Sequence, residues 1–348
     1  MSFYDNGGYM PIQRVQEAIA EIQKGNMVVM IDDEDRENEG DLVYAATFST
    51  PEKVNFMASE ARGLICVALT PQIAKRLELT PMVQKNDSAH ETAFTVSVDA
   101  KAATTGISAY ERDMTIKLLA SPVSTTEDFV RPGHIFPLIA KEGGVLVRTG
   151  HTEGSVDLCK LAGLQPAAVI CEIMNPDGTM ARRDALEKFA KKHNLKIVYI
   201  SDIVEYRLQN ELLVRELETQ EVGFFGVKVT RKDFQDHTGA VHTAIIFYSA
   251  SGTANVKFHN IVQDRELLLD AKKYTSLIHS IDYLKKNSGV LIFLESQKVK
   301  DQTKEYGIGA QILKTLGVQN IRLLTTKKGR EFIGLSGFGL DIVDEIEI

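Results

Sequence analysis

The stretch MVVMIDDEDRENEGDLVYA, residues 27–45, decides how this chain is read. Met27–Ile31 is apolar throughout, which predicts a strand buried on both faces. Leu42–Ala46 reads as a second strand. Between them stand seven carboxylates in ten residues: Asp32, Asp33, Glu34, Asp35, Glu37, Glu39 and Asp41, offset locally only by Arg36. Like charges this close repel unless they are solvated or meet a cation. A solvated loop would satisfy that demand. This run, however, follows a buried strand directly, so it sits at a strand's C-terminal end, where α/β proteins assemble sites. Its oxygens suit a hard cation such as Mg²⁺, which typically takes one or two protein carboxylates plus water. It is not an EF-hand, because the sixth-position glycine and the matching terminal Glu are missing. A catalytic loop is the better reading.

Working outward, Ile12, Val15, Ile19 and Ile22 recur at helical spacing, with Pro11 in the first turn and Gly25 at the end. A helix is expected after Thr50-Pro51, a strand at Gly63–Leu69, a helix at Gln72–Leu77 and a strand at Ala93–Val98. Gly106–Ala120 reads as loop then helix, Gly144–Arg148 as a short strand, and RTGHTEGS, 148–155, as a glycine-bearing loop. Val156–Ala162 and Pro166–Ile173 read as two helices or as a helix and a strand. A helix at Asp184–His193 and a strand at Lys196–Ile200 follow. This irregular alternation predicts an α+β, or mixed α/β, fold.

A domain boundary is expected near 201–210, where Ser201-Asp202 would cap a short helix through Arg207. Beyond it the chain turns β-rich, with strands expected at Glu211–Glu216, Gly223–Thr230, Val241–Tyr248 and Asn255–Val262. A helix at 265–286, a strand at Gly289–Leu294, a polar surface connection at 295–305 and a helix at Tyr306–Leu316 complete it. Ile321–Leu324 is the last clear strand.

The 348 residues suggest about two domains. A hydrophobic content of 44% and a charged content of 25% are those of a soluble globular protein. The net charge of −7 argues against a general nucleic-acid binder, since neutralising phosphates needs a basic excess. The three cysteines, Cys66, Cys159 and Cys171, form no CxxC pair, which points to a reducing compartment. No secretory signal and no apolar run of about 18 residues is present. A cytoplasmic protein with no membrane partner is expected.

His134 in RPGHIFPL and His151 in RTGHTEGS share one local pattern, a preceding glycine and an arginine three residues earlier. Imidazole ligates metals and moves protons near neutral pH. Arg148, Thr149 and Thr152 offer the donors that phosphate needs. Thr104–Ser108 precedes a helix and could cradle an anion. Glu172, at the end of AAVIC, is costly to bury unless paired or used. Cys66 reads as a small buried hydrophobe, not a nucleophile.

Taken together, DDEDRENEGDLV, GLICVALT, TTGISAYER, RPGHIFPL and RTGHTEGSVDLCKLAGLQPAAVICEIMNPDGTMAR closely resemble the 3,4-dihydroxy-2-butanone 4-phosphate synthase family. The likeness covers residues 10–205. It implies conversion of D-ribulose 5-phosphate to 3,4-dihydroxy-2-butanone 4-phosphate and formate in riboflavin biosynthesis, with Mg²⁺ (or Mn²⁺), in a homodimer with sites near the subunit interface. Carried over, Glu37 and His151 hold metal. Arg36, Glu37, Asp41, Arg148, Thr149, Gly150, His151, Thr152 and Glu172 contact substrate, and Thr105 helps. His134 and Glu172 are catalytic, and Glu39 is a further acid–base group.

The second half resembles GTP cyclohydrolase II in YGIGAQILKTLGV (306–318), RLLT (322–325) and GLSGFGLDIV (334–343), and more weakly in HTAIIFY and VKFHN. That family holds zinc with three cysteines, yet residues 201–348 contain none. Its RQEGRG segment reads ESQKVK here, and its Asp and Arg before YGIGAQIL are replaced by Gln302 and Lys304. The division expected is thus 1–205, an α/β synthase domain, and 206–348, an α+β cyclohydrolase-like domain without zinc or GTP hydrolysis. The alternatives are a substitute metal site from His237, His242, His259 and His279, or a binding and assembly module.

Overall fold

The apolar spacing at the start of the chain becomes α1 (Tyr9–Gln23), whose Val15, Ala18 and Ile22 are fully buried. The computed structural model describes residues 9–88, 90, 92–249, 252–295, 302–326 and 340–348. Two compact units divide at Tyr206/Arg207.

The first unit runs α1, β1 (Val28–Ile31), β2 (Gly40–Ala45), α2 (Pro51–Phe56), β3 (Cys66–Leu69), α3 (Pro71–Arg76), β4 (Val98–Ala100), α4 (Ala109–Ala120), β5 (Phe129–Ile139), α5 (His151–Leu161), β6 (Ala167–Glu172), α6 (Arg183–His193), β7 (Lys196–Tyr199) and the first part of α7 (Ile200–Asn210), within which the division falls. Its seven strands form one mixed sheet in the order β4-β5-β3-β6-β2-β1-β7. β1 lies antiparallel to β2 and parallel to β7, while β6 lies antiparallel to both β2 and β3. β1, β2 and β3 are buried along their whole length. Each Val, Leu or Ile so buried contributes about 1.5–3 kcal/mol. Thr50 and Thr70 cap α2 and α3, each accepting an N–H from three residues on, with proline in the first turn.

Several expectations need correction. Gly144–Arg148 is not a strand: φ is positive at Gly143 and Gly144, and a short 3-10 turn spans Gly144–Leu146. RTGHTEGS is not a loop throughout, because α5 begins at His151. Ala93–Val98 makes only isolated bridges at Phe94 and Thr95 before the short β4. β5 was not foreseen; prolines at 132 and 137 hide it. Asp202 does not cap from outside: it lies within α7, reaches back to the Tyr199 N–H and binds Arg14 through two 2.7 Å bonds.

The second unit holds β8 (Val214–Phe224), β9 (Val227–Asp236), β10 (Val241–Phe247), β11 (Gly252–Asn260), α8 (Asp264–Leu269), α9 (Ala271–Asn287), β12 (Gly289–Leu294), α10 (Gln302–Thr315), β13 (Val318–Thr325) and β14 (Asp341–Glu347). Its sheet order is β14-β13-β11-β12-β10-β9-β8. The expected single strand Gly223–Thr230 is broken by a two-residue hairpin turn, Phe225-Gly226, with φ of 47° and 79°. The expected helix 265–286 is two helices parted at Asp270. β14 follows the strand expected to be last. Residues 296–300 and 334–339, within the ESQKVK and GLSGFGLDIV stretches, lie outside the described residues, as do the side chains of Gln302 and Lys304. Among the described residues no helix is long and apolar enough to cross a membrane.

Candidate active site

The acidic loop is folded around its own first residue. Asp32 is buried at the end of β1 and accepts the N–H groups of Glu37 and Glu39 at 3.1 and 2.8 Å. It also accepts Arg36 Nη1 at 2.8 Å. Left-handed Asn38 (φ 54°) lets the chain double back between those two amides. From outside, Arg182 Nη1 donates to the carbonyls of Glu37 and Asn38 at 2.5 and 2.6 Å.

The sheet register supplies the next wall. Asp41 on β2 stands opposite Glu172 on β6. Glu172 Oε2 accepts the Leu64 N–H at 2.8 Å, and a Cβ at Gly63 would collide with Glu172. His151, the first residue of α5, is buried over this pair. Its Nδ1 lies 3.8 Å from Glu37 Oε2 and its Nε2 3.9 Å from Asp41 Oδ1. Gly150 passes so close to the Arg148 guanidinium that a Cβ there would strike it.

Burial pushes the Asp41 carboxyl up; His151 pulls against it, and the nearby Glu172 and Glu37 charges push it further up. Burial disfavours the His151 imidazolium, but the Asp41 and Glu37 carboxylates outweigh that and push the ring's pKa up. His151 in turn holds Glu37 down at about 2. Burial raises the Glu39 carboxyl, against the pull of Arg182.

These residues line a pocket of about 440 Å³. It brings together Arg36, Glu37, Glu39, Asp41, Arg148, His151, Thr152 and Glu172 from the expected set. Thr149 and Gly150 lie in the chain between lining residues without lining it. The Arg148 guanidinium is held by Glu153, the His90 carbonyl and Thr92. His90, Thr92 and Cys66 also line the pocket. Sequence reading singled out neither His90 nor Thr92, which come from an irregular segment without periodicity. Asp32 and Glu153 stood within quoted motifs, but nothing local marks them as the residues that hold the others.

Thr105 and His134 stay outside this pocket. Leu138 lines it, and His134 lies four residues away along β5, about 13 Å at strand rise. His134 Nδ1 pairs with Asp99 Oδ2 at 2.7 Å, and Asp99 Oδ1 accepts the His134 N–H at 2.8 Å. Gly106 passes against this pair. The anion cradle expected at Thr104–Ser108 exists, but it is filled from within. The Glu111 carboxylate accepts the amides of Thr104, Thr105 and Gly106 and the hydroxyls of Thr104, Thr105 and Ser108.

A divalent cation fits the main pocket. Ligand atoms of Asp32, Glu37 and His151 lie within 4.8 Å of one another. The Asp32 oxygens are committed to the loop amides, which leaves Glu37 and His151 as the freer donors. His151 Nε2 is buried with no hydrogen-bond partner, the state of an atom built to ligate. In the second unit, His242 Nδ1 accepts the Glu295 N–H at 3.1 Å and its Nε2 lies 3.2 Å from Asp236 Oδ2. His259 stacks edge-on against Phe293, and burial pushes it down to about 4. Among the described residues no group of three metal-ligating side chains forms in this unit.

Comparison with known proteins agrees with the geometry. A family model described as 3,4-dihydroxy-2-butanone 4-phosphate synthase matches residues 16–206, and one described as GTP cyclohydrolase II matches residues 295–347. A 3,4-dihydroxy-2-butanone 4-phosphate synthase of Wolinella succinogenes is 58% identical over 338 residues, 97% of each chain. The crystal structure of RibBX, a two-domain 3,4-dihydroxy-2-butanone 4-phosphate synthase from A. baumannii, superposes with a TM-score of 0.83 at 39% identity, covering 96% of this chain and 98% of that one. A 3,4-dihydroxy-2-butanone 4-phosphate synthase solved with two magnesium ions matches at 42% identity and a TM-score of 0.55, covering 57% of this chain and 97% of its own.

Proposed function

The chain belongs to the 3,4-dihydroxy-2-butanone 4-phosphate synthase family and is an enzyme of riboflavin biosynthesis, and from that premise we propose that its pocket between the acidic loop and α5 carries the reaction. The substrate is D-ribulose 5-phosphate, and the products are 3,4-dihydroxy-2-butanone 4-phosphate and formate. The observation that carries this reading is the buried His151 ring, whose Nε2 has no hydrogen-bond partner and whose Nδ1 lies 3.8 Å from Glu37 Oε2.

Glu37 and His151 would hold Mg²⁺ or Mn²⁺, which when bound supplies positive charge for oxygens that become anionic during enolisation. The magnesium found with the solved relative supports this. Arg36, Asp41 and the run Arg148–Thr152 bind the sugar phosphate, and the start of α5 offers its helix dipole and free N–H groups to the phosphate. Glu39, its carboxyl raised by burial, and Glu172, oriented by the Leu64 amide, exchange protons with the substrate carbons and hydroxyls.

His134 and Thr105 reach the site of a second copy in a homodimer. The absence of both from the lining of their own chain's pocket supports this, as do the exposed apolar residues Ile107, Tyr110 and Met114 that follow Thr105 in the chain. Residues 1–205 form the synthase domain. Residues 206–348 form a cyclohydrolase-like domain that neither holds zinc nor opens GTP, because every cysteine precedes residue 172. The protein works in the cytoplasm, without nucleic acid or membrane. The deciding assay follows formate from ribulose 5-phosphate with Mg²⁺, with and without EDTA, and formate from GTP. The reading expects formate only from ribulose 5-phosphate with metal present. Full activity of a metal-stripped sample, formate from GTP, or one tightly bound zinc per chain overturns the corresponding part.

A further inference from the structure

Glu37, Asn38 and Glu39 are gripped from two sides. From the sheet, Asp32 takes the N–H groups of residues 37 and 39. From the start of α6, Arg182 takes the C=O groups of residues 37 and 38. One guanidinium NH₂ carries two hydrogens, so Nη1 serves both carbonyls at once. The same nitrogen lies 3.5 Å from Glu39 Oε1. Next to it, Arg183 Nε is 3.6 Å from Glu34 Oε1, and its guanidinium lies over Tyr199. The start of α6 therefore brings two cations to a loop whose own charges would spread it. The Arg182 side chain is half exposed and does not line the pocket, so neither core packing nor substrate contact accounts for it.

We propose that Arg182 is a positioning residue: by bridging the Glu37 and Asn38 carbonyls it fixes the Glu37 carboxylate at the spacing from His151 that a divalent cation needs. This rests on the metal reading above. Backbone bonds on both sides of a ligand residue limit its excursions, and groups of this kind typically set metal affinity or activity by about 10- to 100-fold. Arg182 lies 145 residues from Glu37, so the clamp exists only in the folded unit.

The test is Mn²⁺ binding by the full chain, read by titration calorimetry or by the paramagnetic resonance of free Mn²⁺. Arg182→Ala should weaken Mn²⁺ binding by about 10-fold or more, lower kcat in parallel and regain affinity when guanidinium ion is added. Arg182→Met keeps the apolar stem and removes the donors, so it should show the same loss if the alanine variant folds poorly. Wild-type Mn²⁺ affinity in a folded Arg182→Met or Arg182→Ala chain overturns the proposal and leaves the metal site standing. A wild-type chain that binds no Mn²⁺ overturns both.

Discussion

Asp41 and Glu172 stand directly opposite each other across the antiparallel pair β2–β6, so two carboxylates share one wall of the pocket. Neighbours in that position lie about 5 Å apart. Burial raises the Asp41 carboxyl, His151 pulls it back and Glu172 pushes it up again; the net shift is upward, so its charged form costs stability above its unfolded pKa. Asp41→Asn removes that cost. Its expected melting temperature at pH 7 equals or exceeds that of the wild type, while formate release falls about 100-fold or more. A strong loss of stability would show the charge to be compensated within the fold.

Glu37→Gln and His151→Ala should each abolish tight Mn²⁺ binding and lower turnover about 100-fold or more. Circular dichroism should remain that of the folded chain, because neither side chain belongs to the apolar core. Near-normal turnover in either variant would refute the ligand assignment.

A site built from two chains has a simple signature. His134→Ala and Glu37→Gln are each expected to be inactive alone. Unfolded together and refolded as a mixture, they should recover about one quarter of wild-type activity, since half of random dimers are mixed and each then holds one intact site. No recovery from dimers shown to be mixed would place His134 and Glu37 in the same chain's site, or His134 outside catalysis.

Glu111 ties the loop before α4 to its first turn. The Thr104 hydroxyl and amide, with the other donors of the cradle, hold its carboxyl at about 2, below its ordinary 4.5. A depressed carboxyl stabilises the fold above its unfolded pKa and loses that effect as pH falls through its folded one. The difference in melting temperature between the wild type and Glu111→Gln should be constant above about pH 5 and shrink towards pH 2. A difference independent of pH would mean that the carboxylate charge is not what the cradle reads.

Strand β1, the acidic turn after it, the carboxylate ending β6 and the apolar face of α1 were legible in the residues, because each depends on neighbours a few positions away. A buried strand needs only a continuous apolar run, and a helix face only a spacing of three and four. β5 was not legible, since its two prolines break a local strand signal. The Phe225-Gly226 turn was missed because phenylalanine is not a usual turn residue.

The division of labour within the site was decided elsewhere in the molecule. The sequence presented seven carboxylates as equals, but the fold buries Asp32 as the hub of its loop, sets Asp41 against Glu172 and leaves Glu37 beside His151. It commits the Thr105 donors to Glu111 and turns His134 towards Asp99. It also brings Arg182 across 145 residues to the Glu37 carbonyl. Composition and spacing state which chemistries are present. Strand register and helix placement fix which groups share a low-dielectric space, and at a few ångströms that decides whether a carboxylate supports, ligates or moves a proton.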